Sequence, residues 1–286
     1  MQHKNGISSI LNWLVTFLIV AAMLMGIRYF CVQSYLISTH AMESALYPGD
    51  YVLVNKLPVK GNPGRNRIVL FNSPLLKDTL STPTFVSRCI GMPGDTIEVS
   101  PEGYLINQVR VPLSPSILLV YTMDQEITPE IESILRKLEI PLRNRIVSGK
   151  QTELTLTPFE VYQLQEEISR EKSNRIRMKE FPAYKLVIPK KGHSYRLDPH
   201  TLQAAHEAIR RETGDQAVIR DQKLFLDGRE TTFFHFSQDY YWVLSDNPED
   251  AIDSRYLGFI PADHMTGNVW FCWLSKDHER MFKFIH

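Results

Sequence analysis

The residues best placed to do chemistry lie between Ile37 and Asp50. Ser38, Thr39 and Ser44 carry hydroxyls there, and His40 stands beside Ala41. A hydroxyl becomes a useful nucleophile only when a neighbouring base takes its proton. Position 41, at the centre of the group, has no hydroxyl. His40 is a base by type, but adjacent residues on an extended strand point to opposite faces. Ser38, Thr39, His40 and Ser44 therefore read as ordinary surface or packing residues. Elsewhere the chain offers Cys31, Cys89 and Cys272, with no C-x-x-C and no His/Cys spacing of a zinc site. Cys31 lies at the edge of an apolar segment. Cys89 and Cys272 are either one disulfide in an oxidising compartment or two buried thiols. No motif calls for a metal or a cofactor.

A chain of 286 residues must position these groups. It is 43% apolar and 22% charged, enough for one large or two small globular domains with a sizeable core. Lys+Arg and Asp+Glu each number 32. That balance, with no strongly basic stretch, argues against a nucleic-acid partner. Residues 10–27 (ILNWLVTFLIVAAMLMGI) carry no charge. At about 1.5 Å per residue they extend roughly 27 Å, close to the roughly 30 Å of a bilayer core. The run is longer than the apolar core of an export signal, and bulky residues follow it. A retained transmembrane anchor over residues 10–32 is expected, behind a short segment of residues 1–9. His3 and Lys4 precede the span and Arg28 follows it, so charge orients it only weakly.

Beyond the anchor the pattern is mainly β with an α+β insertion. Tyr51–Val54, Ile68–Phe71, Phe85–Ile90 and Thr96–Val99 are rich in β-branched and aromatic residues. Pro48-Gly49-Asp50, Gly61-Asn62-Pro63-Gly64 and Pro93-Gly94-Asp95 separate them as turns. Residues 112–215 differ and form the insertion, or cap. One helix opens at Thr128-Pro129-Glu130 and runs to about Glu139. A second opens on the capping box at Thr157–Glu160 and runs to about Lys172. A third is capped by Asp198 and ended by Gly214. The β rhythm returns over 216–286, where Asp227-Gly228 is a strong hairpin signal. The β core is thus expected in residues 33–111 and 216–286. The insertion either covers an edge of the sheet or contacts a partner.

The segment Ile37–Asp50 resembles the nucleophile segment of type I signal peptidases, I-P-S-x-S-M-x-P-T-L-x-x-G-D. Ile68–Pro74 is similar to a family strand, G-D-I-V-V-F-x-x-P, with Asn66-Arg67 in place of its Gly-Asp. Val86–Asp95 resembles V-K-R-x-I-G-x-P-G-D, which carries the catalytic lysine. Ser245–Phe259 resembles G-D-N-R-x-x-S-x-D-S-R-y-x-G-f. In this order, behind an apolar segment, these stretches make the chain similar to bacterial leader peptidases, serine endopeptidases of peptidase family S26. The resemblance implies a signal peptidase-type β fold and a single-pass anchor in the bacterial inner (cytoplasmic) membrane. It further implies a cytoplasmic N-terminus, a periplasmic main domain, and signal peptides or preproteins as partners.

In that family a lysine, its pKa lowered by burial, activates a serine nucleophile, and a second serine orients the lysine. By resemblance these roles fall on Ala41, Ser87 and Ala251. Ser38, Ser44 and Ala45 stand where proline, proline and threonine are common. Ser245 and Pro248 stand for a glycine and an arginine. Thr39 keeps a hydroxyl where the family often has an oxyanion-stabilising serine. Ile37, Met42 and Val86 fall at substrate-binding positions. Asp253, Ser254 and Arg255 fall where the family braces its site with an internal ion pair. The expectation is a catalytically degenerate member. It would bind signal peptides or preproteins, or partner an active paralogue or the export machinery, without cleavage. An active signal peptidase with an altered site and a purely structural membrane protein stay open as alternatives.

Overall fold

The computed structural model describes residues 3–57, 63–75, 83–100, 103–180 and 182–285; within the first helix, side chains are described for residues 12–23, 25 and 26. Residues 61 and 62 of the expected Gly61–Gly64 turn lie outside the described residues. The uncharged run falls in helix α1 (His3–Phe30). Trp13, Phe17, Leu18, Ile19, Met23 and Met25 are all exposed on it. Among the described residues no helix is long and apolar enough to cross a membrane. The expected boundary at residue 32 needs correction. The helix ends at Phe30, and Val32 opens strand β1 (Val32–Leu36) because its backbone pairs with the next strand, Val32 opposite Asn55.

The chain then forms β2 (Tyr51–Asn55), β3 (Ile68–Asn72), β4 (Thr84–Gly91), β5 (Thr96–Ser100), β6 (Gly103–Ile106) and β7 (Val109–Val111). Through the insertion run β8 (Leu119–Asp124), α2 (Thr128–Lys137), β9 (Arg143–Ser148), β10 (Gln151–Leu156), α3 (Pro158–Glu167) and α4 (Arg170–Ser173). They are followed by β11 (Arg177–Met178), β12 (Tyr184–Val187), β13 (Ser194–Arg196) and α5 (Pro199–Thr213). The last part holds β14 (Ala217–Arg220), β15 (Lys223–Leu226), β16 (Arg229–Thr231), β17 (Phe233–His235) and β18 (Tyr240–Leu244). It closes with α6 (Ser254–Leu257), β19 (Ile260–Pro261), β20 (Met265–Leu274) and β21 (Lys283–Phe284).

The fold is mostly β. Its main sheet has eight strands in the order β1-β2-β20-β3-β4-β18-β19, with β21 against β20. The β-branched and aromatic runs seen in the sequence are these strands, because side chains alternating across a pleat can bury one face or both. β3 is buried at Ile68, Val69, Leu70 and Phe71, and β18 over its whole length. The insertion is stitched into the sheets on either side of it. β12 joins β5, β6 and β7, and β13 pairs with β17. A single apolar cluster runs from Ile90 and Ile97 through Leu154, Leu164 and Ile209 to Trp242. Asp227 and Gly228 make the tight β15–β16 turn with φ of 49° and 77°, the left-handed pair this turn requires.

The helices follow their caps. Thr157 Oγ1 accepts from the Glu160 amide, and Glu160 Oε2 from the Thr157 amide, at 3.2 and 2.7 Å. Asp198 accepts from the His200 and Thr201 amides. The second helix, however, does not run to Lys172. It breaks at Ile168, which is extended (φ −113°, ψ 161°) and packs on the main apolar cluster; α4 is a separate turn. Tertiary packing of one side chain overrides local helix propensity here. Cys89 and Cys272 are free, buried thiols in different clusters, and burial pushes the Cys89 thiol up to about 12.

β20 and β2 approach closely at Gly267. A Cβ there would lie 2.4 Å from Val54 Cγ1 and 2.8 Å from the Asn55 carbonyl oxygen. Gly267→Ala should lower unfolding stability by about 1–3 kcal/mol, the usual effect of overpacking. The measurement is the denaturant midpoint, which should fall with an unchanged m-value.

Candidate active site

Ile37–Asp50 forms a closed loop between β1 and β2. The Ile37 amide donates to the Asp50 carbonyl and the Gly49 amide to the Ile37 carbonyl, both at 2.8 Å. At its end Asp50 accepts from the Tyr47 amide, Ser275 Oγ and Arg280 Nη2. Burial alone would raise the Asp50 carboxyl; the bonds from Arg280, Tyr47 and Ser275 outweigh it and hold the group below the usual carboxylate value.

Residues 40–46 are a tight turn, so the expectation of an extended His40-Ala41 pair is corrected. The Glu43 amide reaches the His40 carbonyl, and the Ala45 and Leu46 amides reach the Met42 carbonyl. The turn form follows from burial of Met42 and Leu46, both fully enclosed and four residues apart on one side. Ser44 takes φ 83°. His40 is paired through Nδ1 with Glu43 at 2.9 Å, and no hydrogen bond joins it to Ser38 or Thr39.

The loop after β18 staples this turn. The Asn247 amide donates to the Ala41 carbonyl at 2.9 Å, and Asn247 Nδ2 to the His40 carbonyl at 3.1 Å. The Asp246 amide donates to Met42 Sδ at 3.4 Å. The loop itself hangs on two carboxylates. Asp246 takes Arg88 Nε and Nη2 at 2.9 and 2.7 Å and Ser116 Oγ at 2.8 Å. Only 3% of the Arg88 side chain and 3% of the Asp246 side chain are exposed. Asp253, fully buried, accepts from the Ser245 amide and from Arg255 Nε and Nη2. Ser254 Oγ accepts from the Val243 amide at 2.9 Å.

Between loop and sheet lies a groove of ≈ 580 Å³. Ala41 and Ala251 both line it, with Ile37, Thr39, Val86 and Ile252. Ser87 does not line it. Its Oγ lies 2.7 Å from the Val86 carbonyl oxygen, to which it can donate, and 2.8 Å from Ser245 Oγ, with either hydroxyl able to donate in that pair. Met42 lies under the groove floor, packed with Ile37, Ala41 and Val86. The structure thus gathers Ala41, Ala251, Thr39, Ile37 and Val86 on one surface, with Ser87 and Met42 one layer behind.

Several groups at this site were not singled out by the sequence. Glu249 lines the groove and accepts from Asn144 Nδ2 and Thr155 Oγ1 of the insertion, at 2.8 and 3.0 Å. Arg143 bridges Glu160 at 2.9 Å and Glu43 at 3.5 Å. Asn247 and Glu249 lay inside a recognised segment; the insertion residues gave no local signal. Among the described residues no group of His, Cys, Asp or Glu could hold a metal ion.

A sequence model of the family described as signal peptidase, peptidase S26, matches residues 10–274. The chain belongs to this family. Over 277 residues it is 24% identical to a signal peptidase I of Buchnera aphidicola subsp. Baizongia pistaciae, covering 87% of this chain and 71% of that one. It is 29% identical over 143 residues to a signal peptidase I of Pseudomonas aeruginosa, 43% of this chain and 48% of the relative. It is 38% identical over 86 residues to one from Aquifex aeolicus, 30% of this chain and 32% of the relative. The last two alignments span about half or less of those signal peptidases. The family match includes both the Ile37–Asp50 loop and the Ser245–Phe259 segment that frame the groove.

Removing one partner of the Arg88–Asp246 pair strands a buried charge. Arg88→Met should therefore destabilise the protein by about 3–5 kcal/mol, and adding Asp246→Leu should recover much of that loss. Thermal unfolding of the two single variants and the double variant makes the comparison. Equal destabilisation by Arg88→Met and the double variant would remove the unpaired charge as the cause.

Proposed function

We propose that this signal peptidase-family chain is anchored in a membrane by α1 and holds signal peptides of exported preproteins in the groove without cutting them. Handing the held chain to an active paralogue or to the export machinery is the role this reading assigns to it. The observation that carries the reading is the groove wall. Positions 41 and 251 are both alanine, and no lysine is among the described residues that line the groove. By resemblance, position 87 would hold the base. Ser87 is fully buried and its hydroxyl is committed to Val86 and Ser245. A neutral serine hydroxyl takes no proton from a nucleophile near neutral pH. Thr39 keeps an exposed hydroxyl beside the groove, but an oxyanion donor without nucleophile or base has no intermediate to stabilise.

The surface that remains suits retention. Ile37, Leu70, Val86, Ala41 and Ala251 give small apolar walls, a fit for the small and apolar side chains of an extended peptide. The membrane part of the reading draws on exposed apolar groups. The described face of α1 shows Trp13, Phe17 and Met23, and the sheet it leads into shows Leu36, Tyr51, Trp270 and Phe284. Aromatic side chains of this kind favour a membrane–water boundary. The main domain is assigned to the extracytoplasmic side.

The test is photo-crosslinking of the full chain, in lipid nanodiscs, to a preprotein with a photoreactive residue near the end of its signal peptide. Crosslinking should exceed that of a scrambled signal and drop with Ala251→Trp; no excess over the scrambled control sinks the binding role. In a parallel cleavage assay the chain should turn over at least about 10⁴-fold more slowly than an active signal peptidase, since a catalytic set acts as a unit. Ala41→Ser alone should stay inactive, because Ser87 supplies no base. Cleavage by that variant would reveal a base elsewhere in the groove. Turnover by the unaltered chain that Ser38→Ala, Thr39→Ala and Ser44→Ala together abolish would instead establish an altered active site.

A further inference from the structure

We propose that a second cavity, behind the groove wall, is a binding site for a small uncharged ligand with an apolar body and one carbonyl oxygen. The cavity holds ≈ 600 Å³, within the usual range of small-molecule sites. Val99, Leu113, Ile117, Leu119 and Leu244 give it an apolar lining from β5, β8, β18 and the segment before β8. Part of its wall comes from the Ser245–Tyr256 stretch and part from Lys179–Tyr184, and Glu249 borders both this cavity and the groove. Ligand and groove contents would therefore sit on the two sides of one wall.

Tyr104 points to the carbonyl. It lines the cavity and its ring is largely buried, while its hydroxyl is open to the cavity and makes no hydrogen bond to a described residue. Such a phenol presents an apolar body with one polar tip. Burial pushes this phenol well above its ordinary value, so it stays protonated and offers a donor. Nearby, the Tyr184 hydroxyl accepts from Trp242 Nε1 at 3.3 Å and keeps its own proton, so it is a second donor on the lining. A ligand acceptor would complete Tyr104 where the protein does not.

The charges argue for a neutral ligand. The cations on the lining are taken, Arg255 by Asp253 and Lys179 by Glu153. Glu249 is held by Asn144 and Thr155, and Glu180 stands exposed at the rim. Among the described residues of the lining, a carboxylate or phosphate would meet no unpaired cation and would pass the Glu180 carboxylate.

The experiment is a fluorine NMR titration of the full chain in lipid nanodiscs with 4-fluoroacetophenone, a neutral aryl ketone, with empty nanodiscs as the reference for partitioning. The expected result is saturable binding at one site beyond the empty-nanodisc signal, and weaker binding of 4-fluoroethylbenzene, which lacks the carbonyl. Tyr104→Phe should weaken ketone binding about fivefold, the typical worth of one net hydrogen bond, and leave ethylbenzene binding unchanged. Leu113→Trp should narrow the cavity and weaken binding of both probes. No saturable binding, or full binding by Leu113→Trp, overturns the site. Equal ketone affinity in Tyr104→Phe overturns the carbonyl contact. Tyr104→Phe removes one oxygen and keeps the ring, so it remains decisive if the tryptophan variant fails to fold.

Discussion

Arg88 and Asp246 form the contact on which the rest of the site depends. Two ions taken out of water are costly unless their geometry is good and their remaining hydrogen-bonding capacity is met. Here the guanidinium is met by Asp246 twice and by the Asn66 carbonyl, and the carboxylate also takes Ser116. The pair draws together the turn before β3, the middle of β4, the segment before β8 and the loop after β18. Everything at the groove follows from where that loop is held. Its next residue, Asn247, fixes the backbone of His40 and Ala41, and its previous residue, Ser245, meets Ser87. Asp253 then closes the far end by gripping Ser245 and Arg255. Apart from the Ser245–Ser87 hydroxyl contact, these supports run through backbone groups and through side chains other than those of Ala41, Ser87 and Ala251.

Much of the frame was legible because the signals behind it are local. A strand such as Ile68–Asn72 announces itself through β-branched and aromatic residues between turns, and Asp227-Gly228 through the backbone only such a pair adopts easily. Thr157 and Asp198 mark helix starts because their side chains satisfy amides within three residues. Signals fail where a distant partner decides. Nothing near Ile168 says that its side chain will leave the helix to join the core. Nothing near Val32 says that the apolar run stops being helix; Asn55 says it, across a hairpin.

The same division holds at the groove. The loop and the Ser245–Phe259 segment could be named from sequence, and they do meet. What could not be read was depth. Met42 and Ser87 belong to recognised stretches, yet they sit behind the surface that Ala41 and Ala251 present. Nor could spacing reveal that Asn144 and Thr155 hold Glu249, since they lie 105 and 94 residues away. Through those bonds, and through Arg143 to Glu43, the insertion becomes part of the groove's edge rather than a separate appendage.

Ser44 adds a consequence of another kind. Its φ of 83° lies far from the roughly −65° to which a proline ring is confined. A proline placed at position 44 would have to unwind the turn that buries Met42 and Leu46. The turn therefore closes this position to proline through its backbone, whatever side chains surround it.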